Sequence, residues 1–176
     1  DHVRDLRRRL PGVDRLVVQV DEPALAAVLG GRVPTASGFS RHRSVEPPAA
    51  SEALGWVLAA IVGEGAEPWV HTCAEGTPLD LLRGAGARGL SVDLGRQGPR
   101  DHDVLAQALE DGDTVVLGLA TPGPEAVLRW LEMVGLDPDA VGDRLGVSPP
   151  CGLAGATPAE TRAALALCRT SAADLG

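Results

Sequence analysis

Residues 114 to 135 read TVVLGLATPGPEAVLRWLEMVG, and this stretch decides the fold class. Thr114 to Ala120 is a continuous apolar run rich in β-branched residues, the pattern of a strand covered on both faces. After a Pro-Gly-Pro turn, Pro124 to Gly135 carries apolar residues at helical spacing and ends on a glycine. One strand followed by one helix across a short turn is a βα unit.

The same unit recurs on either side. Arg15 to Val20 (RLVVQV) is an earlier strand, ending at Asp21-Glu22-Pro23, where proline stops ladder pairing. A long loop, Gly30 to Pro48, leads into an amphipathic helix over 49 to 64, with Leu54, Val57, Leu58, Ile61 and Val62 on one side. Pro68 to Cys73 (PWVHTC) is the next strand, Pro78 to Gly84 a short helix, Gly89 to Leu94 (GLSVDL) a strand, and 101 to 111 a helix. Leu145 to Ser148 begins a fifth strand that runs into Pro149-Pro150-Cys151-Gly152. Thr157-Pro158-Ala159-Glu160 supplies an N-cap, a first-turn proline and a glutamate able to close a capping box, so a last helix starts there. Five βα units with short connections form either an open doubly wound sheet or part of a (β/α)8 barrel.

Composition narrows the function. The chain has 176 residues and a formal net charge of −8, and all 16 of its basic residues are arginine against 24 acids. Such a balance offers no basic surface for a phosphate backbone, so nucleic acid is not an expected partner. No apolar run reaches the roughly 18 residues that would cross a bilayer, and no signal-like stretch opens the chain, so the expectation is a cytoplasmic protein with no membrane partner. Three cysteines, at 73, 151 and 168, are too few and too scattered for a disulfide framework. No G-x-G-x-x-G follows a strand, and a chain without lysine has no phosphate-binding P-loop.

In βα architectures chemistry collects at the carboxyl ends of the strands. There the chain places Asp21 and Glu22 after strand one, His71 and Cys73 at strand two, Asp93 at strand three and Cys151 after strand five. His71 and Cys73 are two apart, so both side chains project to one side of the strand. Two thiols, an imidazole and a carboxylate at one end of a barrel make a tetrahedral zinc environment. Each residue also has a plainer reading: a buried cysteine is often a small hydrophobe, which is the reading for Cys168 in mid-helix, and Asp21 can serve as a turn residue before Pro23. His2, His42 and His102 fall in loops or at helix starts and are read as solvated.

The segments VQVDEPAL (18 to 25), HTC (71 to 73), SVD (91 to 93) and PPCGLAGATPAETRAAL (149 to 165) resemble the C-terminal catalytic barrel of cobalamin-independent methionine synthase, in particular its short actinobacterial-type members. The likeness runs in order along nearly the whole chain. It implies a TIM-type fold and a Zn2+ site falling on His71, Cys73, Asp93 and Cys151. It also implies methyl transfer to the thiolate of homocysteine, whose amino group is held by the aspartate that falls on Asp21, beside Glu22. The methyl donor it implies is a methyl-folate or a methylated corrinoid protein. Alternatives within the same resemblance are corrinoid-dependent methylation of another thiol and a non-catalytic relative that binds zinc or a thiol.

Two positions depart from the family pattern. The carboxylate ligand is usually glutamate, one methylene longer than Asp93. The proton-donating histidine of full-length members falls in Leu119-Ala120-Thr121-Pro122, where Ala120 cannot move a proton, so no catalytic proton donor is assigned. A barrel needs eight strands and typically about 250 residues. With five units and Asp1 in first place, the expectation is a single domain forming the C-terminal part of a larger barrel that lacks its first strands. Open edges of such a sheet invite pairing, hence a possible homodimer or a covering N-terminal segment.

Overall fold

Alternation along Glu67–Thr72 sets up the first half of the molecule. Pro68, Val70 and Thr72 are buried on one face, while Glu67, Trp69 and His71 are half-buried on the other. The computed structural model describes residues 1–120 and 123–173. Its order is α1 (His2–Arg9), β1 (Val17–Asp21), α2 (Leu25–Leu29), α3 (Pro47–Gly63), β2 (Glu67–Thr72), α4 (Leu79–Gly84), β3 (Gly89–Asp93), α5 (Pro99–Glu110), β4 (Thr114–Gly118), α6 (Pro124–Val134), α7 (Pro138–Val141), β5 (Leu145–Ser148) and α8 (Pro158–Ala173). The strands make one five-stranded parallel sheet in the order β1-β2-β3-β4-β5, the arrangement of part of a TIM-type barrel. The chain divides into two compact units, Asp1–Gly89 and Leu90–Gly176.

In the first unit β1 and β2 run parallel, from Val17 opposite Glu67 to Asp21 opposite His71. Helix α3 starts on Pro47 and Pro48, whose missing N–H groups would have no partner in a first turn anyway. It buries Leu58 and Ile61, and α4 buries Leu79 and Leu82. Gly89 is needed for packing: a Cβ there would collide with the indole of Trp69. Trp69 Nε1 in turn donates to Glu67 at 2.7 Å, and Arg15 pairs with the same carboxylate at 2.9 Å. The Arg15 hydrogen bonds, and after them that of Trp69, hold the Glu67 carboxylate below its ordinary pKa against the opposing effect of burial.

In the second unit the core is a run of i, i+3, i+4 faces. Leu105, Ala108 and Leu109 of α5 and Val127, Trp130 and Leu131 of α6 are buried, as are Val115 and Leu117 of β4. Gly135 closes α6 in the left-handed conformation, φ 75°. Pairing of β4 with β5 runs from Val115 opposite Leu145 to Gly118 opposite Ser148.

All five strands and all five helices expected from the sequence are present, with ends displaced by a residue or two. Three helices were not expected. Helix α1 buries no residue: its two apolar side chains, Val3 and Leu6, are only half-buried. Asp5 pairs with Arg8 and Arg9 within the helix, both at 2.7 Å, and Arg4 pairs with Glu64, just past the end of α3. Helices α2 and α7 are five and four residues long, too short for a period to show. The loop after α2 is not featureless: Pro34 and Arg41 form an antiparallel bridge, closed by Thr35 N donating to Ser40 O at 2.9 Å. His102, expected to be solvated, is half-buried, and its Nδ1 accepts from Trp130 Nε1 at 2.9 Å. Thr121 and Pro122, which follow the expected strand four, lie outside the described residues.

Candidate metal centre

The side chains that matter stand at the carboxyl ends of the strands. On β2 the half-buried face ends in His71, and Cys73 continues it one residue past the strand, because alternation keeps residues two apart on one side. Opposite His71 in the parallel register is Asp21, the last residue of β1, and Glu22 N donates to His71 O at 2.8 Å. Asp21 is exposed and accepts from Gln19 Nε2 at 2.8 Å. The Glu22 carboxylate turns back to accept from Ala24 N at 3.0 Å, closing the turn into α2.

Cys151 follows β5 through Ser148-Pro149-Pro150. Gly118, the last residue of β4, makes that path possible: a Cβ there would stand 2.5 Å from Val92 O and 2.8 Å from Pro150 Cα. Only hydrogen fits, so the proline pair crosses tightly over the end of β4 and delivers an exposed Cys151. The sequence signal for this was available, since glycine inside an apolar strand marks close backbone approach.

Among the described residues, His71, Cys73 and Cys151 offer one ligating atom each, all within 4.8 Å of one another. Ligands of a tetrahedral zinc with Zn–S of ~2.3 Å stand about 3.8 Å apart. One imidazole nitrogen and two thiols near this spacing fit the donor set of a zinc ion. His71 Nε2 is withdrawn from solvent, and Cys151 is exposed.

Asp93 stands outside this group. Its Oδ1 accepts from Gly95 N at 3.1 Å and its Oδ2 pairs with Arg96 Nε at 3.1 Å, so the carboxylate caps the turn after β3. Cys168 is buried in α8, and burial pushes its thiol pKa up, as a structural cysteine requires. Thr157 and Glu160 form the expected capping box: Glu160 N donates to Thr157 Oγ1 at 3.3 Å and Thr157 N to Glu160 at 2.7 Å. Ala120 is exposed at the end of β4.

A parallel βα chain with an imidazole and two thiols gathered at its strand ends carries the donor set that a soft metal ion takes in a barrel-type fold. The comparison with families is specific. A family model described as the cobalamin-independent synthase catalytic domain matches residues 3–174, and the chain belongs to that family, a methyltransferase-type enzyme domain. No curated protein matches the chain. No helix among the described residues is long and apolar enough to cross a membrane.

Proposed function

We propose that this protein transfers a methyl group to the sulfur of homocysteine, giving methionine, with zinc held by His71, Cys73 and Cys151. The observation that carries the reading is the gathering of those three ligand atoms within 4.8 Å in a chain of this family. A free alkyl thiol has a pKa near ~8.5 and is mostly protonated at neutral pH, which makes it a poor nucleophile. Held by His71, Cys73 and Cys151, a zinc ion would supply the positive charge that keeps a substrate thiol deprotonated.

The rest falls to the chain's own residues. In this reading Asp21, exposed and opposite His71 in the register, pairs with the ammonium group of an amino-acid thiol and so aims its sulfur. Glu22 sets the turn that carries it. The Asp93 carboxylate, engaged by Arg96 and Gly95, is left out of the proposed ligand set. In the transfer, the sulfur lone pair forms the new S–C bond while the bond from methyl carbon to donor breaks, its electron pair leaving with the donor. A folate nitrogen leaving in this way needs a proton, and Ala120 has none to give. That favours a second reading for the donor: a methylated corrinoid protein, whose leaving group needs no acid.

Two measurements test these readings. Protein purified without chelator is expected to hold one equivalent of zinc; absence of zinc with Cys73 and Cys151 both reduced refutes the site. Homocysteine methylation is then compared with methyl-folate and methylcobalamin as donors, and the second is expected to be the better.

A further inference from the structure

Directly behind the ligand face lies a hydrogen-bonded ring that the chemistry above does not use. Thr72 and Thr77 are 0% and 1% exposed, on the side of β2 and its turn opposite to His71 and Cys73. Ala74 N donates to Thr72 Oγ1 at 3.3 Å, the two hydroxyls are 3.0 Å apart, and Thr77 Oγ1 donates to Ala74 O at 3.2 Å. Each hydroxyl has one proton. Since that of Thr77 goes to Ala74 O, the Thr72 hydroxyl must donate to Thr77 Oγ1. The ring therefore runs one way round, from Ala74 N–H through both hydroxyls and back to Ala74 C=O.

Such a ring clamps one residue by both its backbone polar groups, and that residue directly follows Cys73. Ala74 N belongs to the peptide plane that leaves Cys73, so fixing it fixes the backbone torsion from which the thiol projects. Next to it the turn continues through Gly76, at φ 72°, before α4 begins. Burying two hydroxyls is unfavourable unless both are fully bonded, and here they are bonded to one another and to a single residue.

We propose that Thr72 and Thr77 are positioning residues for the metal site, holding Cys73 in its ligating orientation through the backbone of Ala74. The inference rests on the zinc reading above. Partners outside the ligand set commonly change metal affinity by 10- to 100-fold when removed, and a backbone clamp belongs at the lower end of that range.

The test compares wild type, Thr77→Val and Thr77→Ser. Zinc affinity is measured by competition with a chromophoric chelator, and the thiolate-to-cobalt charge-transfer band is recorded after loading with Co2+. Thr77→Val keeps the side-chain shape but breaks the ring, and is expected to lower zinc affinity about tenfold and weaken the cobalt band. Thr77→Ser restores the hydroxyl and is expected to recover both. Val127→Ala, in the buried face of α6, serves as a control that lowers melting temperature without touching the clamp. It is expected to leave affinity unchanged. If Thr77→Val does not fold, Thr77→Ala at reduced temperature takes its place with the same expectation. Wild-type affinity and an unaltered cobalt band in the ring-broken variant overturn the clamp while leaving the zinc reading standing. A wild type that binds neither zinc nor cobalt overturns both.

Discussion

Replacing Gly118 by alanine adds one methyl group where β4 ends and the Pro149-Pro150 pair crosses. The new Cβ would lie 2.5 Å from Val92 O, 2.8 Å from Pro150 Cα and 3.2 Å from Pro149 O. Carbon contacts are comfortable at about 3.5–4.0 Å, so the neighbours must retreat by roughly 1 Å. All three are backbone atoms, which cannot rotate aside as a side-chain tip would. Overpacking of this kind costs about 1–3 kcal/mol. In a chain of this size each kcal/mol lowers Tm by roughly 2–4 °C, so a drop of about 2–12 °C follows. The sign is informative, because Gly→Ala at a site with room stabilises by about 0.4–1 kcal/mol through the unfolded chain. Gly146→Ala is the comparison: its Cβ meets only the Val116 side chain, nearest at 3.2 Å, and a near-neutral effect is expected. Lifting Pro150 also carries Cys151 with it, so zinc affinity should fall in Gly118→Ala and not in Gly146→Ala. Urea denaturation of the metal-free protein and chelator competition read the two effects separately. A Gly118→Ala protein that is as stable as wild type, with unchanged zinc affinity, would refute the argument that the absent Cβ sets the path to Cys151.

Other predictions concern charge and thiols. Glu67 has its pKa depressed in the folded state, so its contribution is present above the unfolded value of about 4.3 and is lost as pH falls through the folded one. Glu67→Gln should therefore lower Tm at neutral pH and converge on wild type in acid; a constant difference across the range would contradict the Arg15 and Trp69 bonds as its cause. In alkylation followed by mass spectrometry, zinc should protect Cys73 and Cys151, whereas Cys168 should react slowly with or without metal because it is buried. Equal zinc protection of all three would count against the ligand set. Asp21→Asn should raise KM for homocysteine by about tenfold, one lost charged hydrogen bond of ~1.5–3 kcal/mol being ample, without changing zinc content. Loss of zinc in that variant would assign Asp21 to the metal instead. Finally, Cys151→Ala should abolish thiol methylation in a catalytic centre, whereas a metal with only a structural role would show itself chiefly as a lowered melting temperature.

The units that were easy to read are those whose burial is periodic over a whole element. Thr114 to Gly118 and Pro124 to Val134 display continuous strand and i, i+3, i+4 helix patterns because both are buried by their neighbours in sequence. Helix α1 is hard to read because it is short and carries only two apolar residues, Val3 and Leu6, while its tie to Glu64 is made far along the chain. The setting of His102 is hidden from local spacing, since its partner, Trp130, is 28 residues away.

The same division holds at the site. Sequence alone determined that the chain is a parallel α/β protein, that His71 and Cys73 share one face of a strand, and that Cys151 follows another strand end, because alternation and local spacing act over a few residues. Tertiary structure decided which candidates come together. His71, Cys73 and Cys151 converge, while the Asp93 carboxylate is drawn to Arg96 and Gly95, since a carboxylate takes the charged and backbone donors nearest to it. It also decided the supports, the bare α-carbon of Gly118 under Pro150 and the hydroxyl ring around Ala74. These depend on ångström-scale approach between backbone segments, and residue types strung along a chain do not encode that distance until the chain has folded.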